Sequence, residues 1–115
     1  MELRCEPDAE LEGTIVVTLK GNLDVQGAVA LWEGATRELD ATTTSLLIDL
    51  SSVDLITSAG IGALVRLLHR VQSIGGRLAV FGPNARVHEV IEVVMLAAIF
   101  GLSETLEEAR RRLRA

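Results

Sequence analysis

The chain has 115 residues, of which 49% are apolar and only 3% aromatic, and it carries a formal charge of −5 at pH 7. That length supports one buried core rather than two, and the acidic balance excludes a dedicated nucleic-acid binder, which needs a clustered basic face to displace counterions from phosphates. Every apolar run is far shorter than the roughly twenty residues of a membrane span, and Met1-Glu2-Leu3-Arg4-Cys5-Glu6 lacks the basic start and apolar stretch of a secretory signal, so a cytoplasmic protein without membrane insertion is expected.

A single cysteine, Cys5, has no internal partner for a disulfide, which suits a reducing compartment. His69 and His88 lie at no metal-ligand spacing from each other or from an acid. No cofactor or metal is therefore expected. Charge is uneven: residues 1 to 60 hold eleven acids and three bases, residues 61 to 115 five acids and eight bases.

In chain order, a short strand near Leu3–Glu6 precedes a turn around Pro7 and Gly13. Thr14 to Leu19 alternates Ile15, Val17 and Leu19 with Thr14, Val16 and Thr18, the period of a strand. Gly21-Asn22-Leu23-Asp24 breaks the alternation, and Ala28, Leu31, Trp32, Ala35 and Leu39 follow at helical spacing with Asp24 as N-cap. Leu46-Leu47-Ile48-Asp49-Leu50 reads as a strand in the sheet interior. A loop over Ser51 to Thr57 leads to a helix marked by Ile61, Leu64, Val65, Leu68 and Val71, which stops at Gly75-Gly76. Ser58 falls at its N-cap or first turn.

Arg77 to Phe81 is the next strand, Gly82-Pro83-Asn84 a turn and cap, and Val87, Val90, Ile91 and Val94 a third amphipathic helix. Ile99-Phe100 reads as a very short edge strand. Thr105 and Glu108 form a capping box for a last helix with Leu106, Ala109 and Leu113 on its apolar face. Arg110, Arg111, Arg112 and Arg114 are assigned to its solvated side, where cations complement the C-terminal dipole. The expected architecture is one α/β domain over residues 1–115, a mixed sheet of about five strands with about four helices in the order ββαβαβαβα. Parallel pairing follows from the alternation, and the first two strands pair as a hairpin.

Two segments carry a family resemblance: Gly21-Asn22-Leu23-Asp24 after a strand, and Asp49 to Gly62, with Thr57-Ser58-Ala59-Gly60, between a strand and a helix. With Gly75-Gly76-Arg77-Leu78, the Gly82-Pro83 turn and the capped final helix, the chain resembles the STAS domain of bacterial anti-sigma factor antagonists along nearly its whole length. The resemblance implies a protein that, unphosphorylated, binds an anti-sigma factor that is also a serine kinase and so frees a sigma factor. It implies Ser58, first residue of the Ser58-Ala59-Gly60 triplet, as phosphoacceptor, with Asn22, Asp24, Thr57, Ser58, Ala59, Gly60 and Gly62 at the partner surface and a serine phosphatase as the resetting enzyme. A monomer is expected when free.

Thr57 stands where many phosphorylated members carry Asp, which leaves a second reading open: a STAS subunit of an ABC-type transport or stress-sensing assembly, docked permanently and never phosphorylated. Catalysis is not expected under either reading. Ile56-Thr57-Ser58-Ala59-Gly60 lacks the G-x-S-x-G elbow and shows no base for a nucleophilic serine. Gly60 and Gly62 are read as letting a neighbouring surface approach the helix start, since neither has a side chain, with tight helix-to-sheet packing as the alternative for Gly62.

Overall fold

A computed structural model describes residues 1–114. Its elements are β1 (Glu2–Pro7), β2 (Thr14–Leu23), α1 (Val25–Arg37), β3 (Ser45–Ile56), α2 (Ser58–Ser73), β4 (Leu78–Phe81), α3 (Ala85–Val93) and α4 (Leu106–Arg114). The sheet runs β1-β2-β3-β4. β1 and β2 form the expected antiparallel hairpin, while β2, β3 and β4 are parallel.

The period of two in each strand divides the interior into two layers. Ile15, Val17 and Leu19 of β2, Leu46, Ile48 and Leu50 of β3, and Leu78 and Val80 of β4 face the main core, with Leu31, Leu64, Leu67, Val87 and Ile91 from α1, α2 and α3 packed on them. The intervening Leu47, Ala79 and Phe81 face the other way and are covered by Ala109 of α4. Each such aliphatic side chain contributes roughly 1.5–3 kcal/mol when fully buried, which explains why a core almost free of aromatics suffices.

Two stretches differ from the sequence reading. Ser51 to Ile56 is strand rather than loop, and β2 likewise continues through Gly21 to Leu23. Register shifts between Thr18 and Lys20 and between Gly21 and Asn22 keep the two strands paired to their ends; bulges of this kind bend a strand without ending it. Polar Ser51, Ser52 and Asp54 point to solvent while Val53 and Ile56 are buried.

The second difference lies between α3 and α4, where Ile99-Phe100 forms no strand and the sheet has four strands, not five. Gly101, at φ +57, turns the chain out of the extended region. What remains is one parallel bridge from Phe81 to Ser103, while Phe100 is fully buried and accepts the Val80 N–H at 3.0 Å. The order is thus ββαβαβαα.

Arg110 also departs from the expected solvated face of α4. It is 8% exposed, and its guanidinium donates to both carboxylate oxygens of Asp8, with Nη2 to Oδ1 at 2.8 Å. Asp8 itself accepts the Leu11 and Glu10 N–H groups. Glu107 and Glu10 complete the ring around Arg110, so α4 is tied to the β1–β2 turn.

Candidate functional site

β2 and β3 end in register, Leu23 opposite Ile56, and each is followed by a helix after a single residue. Two helix starts therefore lie side by side on one rim of the sheet. Asp24 caps α1, its Oδ1 accepting the Gly27 N–H at 2.9 Å. Asn22, exposed, sits just before it on β2.

Thr57 is the N-cap of α2, and Ser58 is the first helical residue. Thr57 does not use its hydroxyl on the helix. Its N–H donates to the Leu23 carbonyl oxygen at 3.1 Å and its Oγ1 to the same oxygen at 3.4 Å, so the residue fastens the helix start to β2. No side chain caps α2, and its first-turn N–H groups, with the positive end of the helix dipole, are open to an incoming anion. Ser58 is exposed there.

The glycines play different parts. Gly60 is buried, and a Cβ on it would collide with the Leu23 carbonyl oxygen and crowd the Leu23 and Ile56 side chains. Its smallness seats α2 on the strand ends rather than admitting a visitor, which corrects the expectation drawn from sequence. Gly62 has nothing within 4 Å of the corresponding position, so it faces open space and packs against no strand. Ala59 is half-buried between the two.

Sequence reading gave Asn84 only a capping role. Its Oδ1 does accept the Val87 N–H at 2.8 Å, but its Nδ2 also donates to the carbonyl oxygens of Val53 and Asp54. One amide thus pins the end of β3 to α3 and stiffens the rim that carries Ser58.

Beside that rim a cleft of about 250 Å³ opens between α1 and α2, lined by Ala28, Val29, Trp32 and Glu33 on one side and Ala59, Gly62, Ala63 and Arg66 on the other. The Arg66 guanidinium lies 4.1 Å from the centroid of the Trp32 ring. No motif marks this cleft. The available signal was that Val25 and Val29, four residues apart, fall off the core face of α1 and are 68% and 54% exposed. Among the described residues no three His, Cys, Asp or Glu side chains gather to hold a metal ion, and no helix is long and apolar enough to cross a membrane.

A mixed sheet with two helix starts on one rim, one of them bearing the exposed Ser58, defines a small α/β domain. The chain belongs to the STAS domain family, whose model matches residues 7–109. It is 29% identical over 100 residues to a Thermotoga neapolitana protein named as an anti-sigma factor antagonist and TM1081 homologue, with 86% of this chain and 88% of that one covered. The crystal structure of TM1081 from Thermotoga maritima superposes with a TM-score of 0.86 at 22% identity, covering 98% of this chain and 95% of that one. SpoIIAA, an anti-sigma factor antagonist of Bacillus, superposes in its unphosphorylated form with a TM-score of 0.79 at 20% identity, over 98% and 96% of the two chains. Its phosphorylated form gives 0.71, likewise at 20% identity, over 98% and 100%. These three structural likenesses show the fold.

Proposed function

We propose that this chain is an anti-sigma factor antagonist whose unphosphorylated form docks through the Asn22–Asp24 and Thr57–Gly62 rim onto an anti-sigma factor that is also a serine kinase, releasing a sigma factor. Phosphorylation of Ser58 by that kinase ends the docking, and a serine phosphatase restores it. The observation that carries this reading is the exposed Ser58 at the start of α2, which no side chain caps, beside the Asp24-capped start of α1. The names of the relatives and the existence of SpoIIAA in both phosphorylation states support it.

The physical logic is electrostatic. A phosphoserine adds about 1.5 to 2 negative charges, and the helix dipole and free N–H groups stabilise them, so the fold tolerates the modification. At a closed interface the same dianion would be desolvated next to the Asp24 carboxylate, and an unpaired buried charge costs roughly 2–5 kcal/mol. Each 1.4 kcal/mol is about tenfold in affinity, so one phosphate separates bound from free.

Purified chain incubated with ATP and each serine-kinase anti-sigma factor of the source genome tests the reading. Wild type should bind and incorporate one phosphate, Ser58→Ala should bind and incorporate none, and Ser58→Asp should bind at least tenfold more weakly. Phosphate incorporation that survives in Ser58→Ala overturns the assignment.

A further inference from the structure

The cleft between α1 and α2 adjoins the helix start, and its α2 wall is unlike the chain as a whole in charge. Residues 58–73 contain Arg66, His69 and Arg70 and not one acid, although the protein carries −5 overall. All three basic side chains are exposed. On a helix, residues three and four apart share a face, so Ala59, Gly62 and Arg66, with His69 and Arg70 beyond, form one strip leading away from Ser58. The strip starts small and apolar and ends basic.

Across the cleft, Val29 presents an exposed aliphatic side chain, and the Arg66 guanidinium lies over the Trp32 ring, 4.1 Å from its centroid. Stacking of this kind fixes a guanidinium in place while its edge N–H groups stay free for a carboxylate. Gly62 leaves the floor empty, with nothing within 4 Å of where its Cβ would stand. Glu33, exposed, also lines the α1 wall; the slot, mostly apolar with Arg66 stacked on Trp32, fits a segment that presents an aliphatic side chain followed by an acid.

We infer that the cleft is a second docking point for the anti-sigma factor, one of whose segments lays an aliphatic side chain over Gly62 between Val29 and Ala59 and pairs an acidic side chain with Arg66. The inference rests on the proposed function and deepens it: Ser58 and Asp24 decide when the partner binds, and the cleft decides which partner binds. A complementary charge at such a position selects one partner among several of the same fold.

Binding of the unphosphorylated chain to each purified serine-kinase anti-sigma factor of the source genome, followed by calorimetry or surface plasmon resonance, tests this. Arg66→Glu reverses the cation and Gly62→Leu fills the slot; circular dichroism and thermal melts verify that both fold. Each variant should weaken binding of the cognate kinase at least tenfold, the Arg66→Glu loss shrinking at high salt, and an acid-to-Lys change in the partner should restore binding to Arg66→Glu. If wild type binds while both variants bind within twofold of it, the cleft is not a docking point and Gly62 leaves the docking rim, while the Ser58 switch of the proposed function stands. If wild type binds none of the kinases and takes phosphate from none, the proposed function falls and the cleft assignment falls with it.

Discussion

The Leu23 carbonyl oxygen occupies the space that a Cβ on Gly60 would need, and it also accepts the N–H of Thr57. One main-chain oxygen at the end of β2 thus fixes how closely α2 approaches the sheet. Gly60→Ala should force the helix start outward and destabilise the fold by about 1–3 kcal/mol, as overpacking does. Gly62→Ala, facing open space in the same helix, should instead stabilise it by up to about 1 kcal/mol through helix propensity. Urea unfolding of both variants checks the contrast, and equal effects would mean that α2 is not seated by Leu23.

Asp24 combines a cap with a charge, and two substitutions separate them. Asp24→Asn keeps an acceptor for the Gly27 N–H and should leave stability within a few tenths of a kcal/mol, since Asn caps about as well as Asp. Asp24→Ala should cost about 1 kcal/mol. If the carboxylate repels phosphorylated Ser58 within the docked complex, Asp24→Asn should also narrow the affinity gap between the two phosphorylation states. Measured Kd values for both states would show it, and an unchanged gap would remove Asp24 from the switch.

The sheet and the first three helices were legible because their signals are local. The alternation of Ile15, Val17 and Leu19 and the capping residues Asp24 and Asn84 act within a few positions. What escaped the reading depends on distant partners. Ser51-Ser52-Val53-Asp54 has turn-forming composition, yet it is strand because bulged pairing with β2 carries it to Ile56. Arg110 looks like one of four surface arginines until Asp8, 102 positions away, folds against it. The rim itself was readable from Asp24 and Ser58. The cleft was not, because Trp32 and Arg66 meet only after α1 and α2 have packed.

The Asp8–Arg110 pair should govern acid stability. Burial raises the Asp8 pKa, but the Arg110 guanidinium and the Leu11 and Glu10 N–H groups outweigh it and hold the carboxyl below the usual carboxylate range. The same hydrogen bond to Asp8, opposed by burial, holds Arg110 above its ordinary value, so the arginine stays charged throughout. A depressed folded-state pKa means that the unfolded chain binds the proton first. The stability due to Asp8 is complete above its unfolded pKa of about 3.9 and disappears as pH falls through the lower folded value. Asp8→Asn should remove that contribution and flatten the pH dependence below about pH 4. Arg110→Ala, which strands a carboxylate with no exposed side-chain surface, should cost roughly 3 kcal/mol near pH 7. That is the lower end for a broken buried pair, because the other partners of Arg110, Glu10 and Glu107, lie near solvent. Equal acid unfolding profiles for wild type and Asp8→Asn would contradict this account.

Met95 ends α3 in a conformation that suits glycine. Its φ is +60, the only positive value at a non-glycine among the described residues. It occupies the left-handed position of a Schellman turn, with the Leu96 N–H donating to Ile91 O at 3.2 Å and the Met95 N–H to Glu92 O at 2.9 Å. The side chain is 84% exposed, so it gains little packing to offset a strain of about 1–2 kcal/mol. Met95→Gly relieves the strain but adds backbone freedom to the unfolded chain, which takes back about 0.5–1 kcal/mol. A net stabilisation of roughly 0.5–1 kcal/mol should remain, a rise in Tm of about 2–6 °C for a domain of this size. A lower Tm in the variant would show that Met95 makes contacts that hold the α3–α4 connection, and that the strain at this residue is offset by packing rather than simply tolerated.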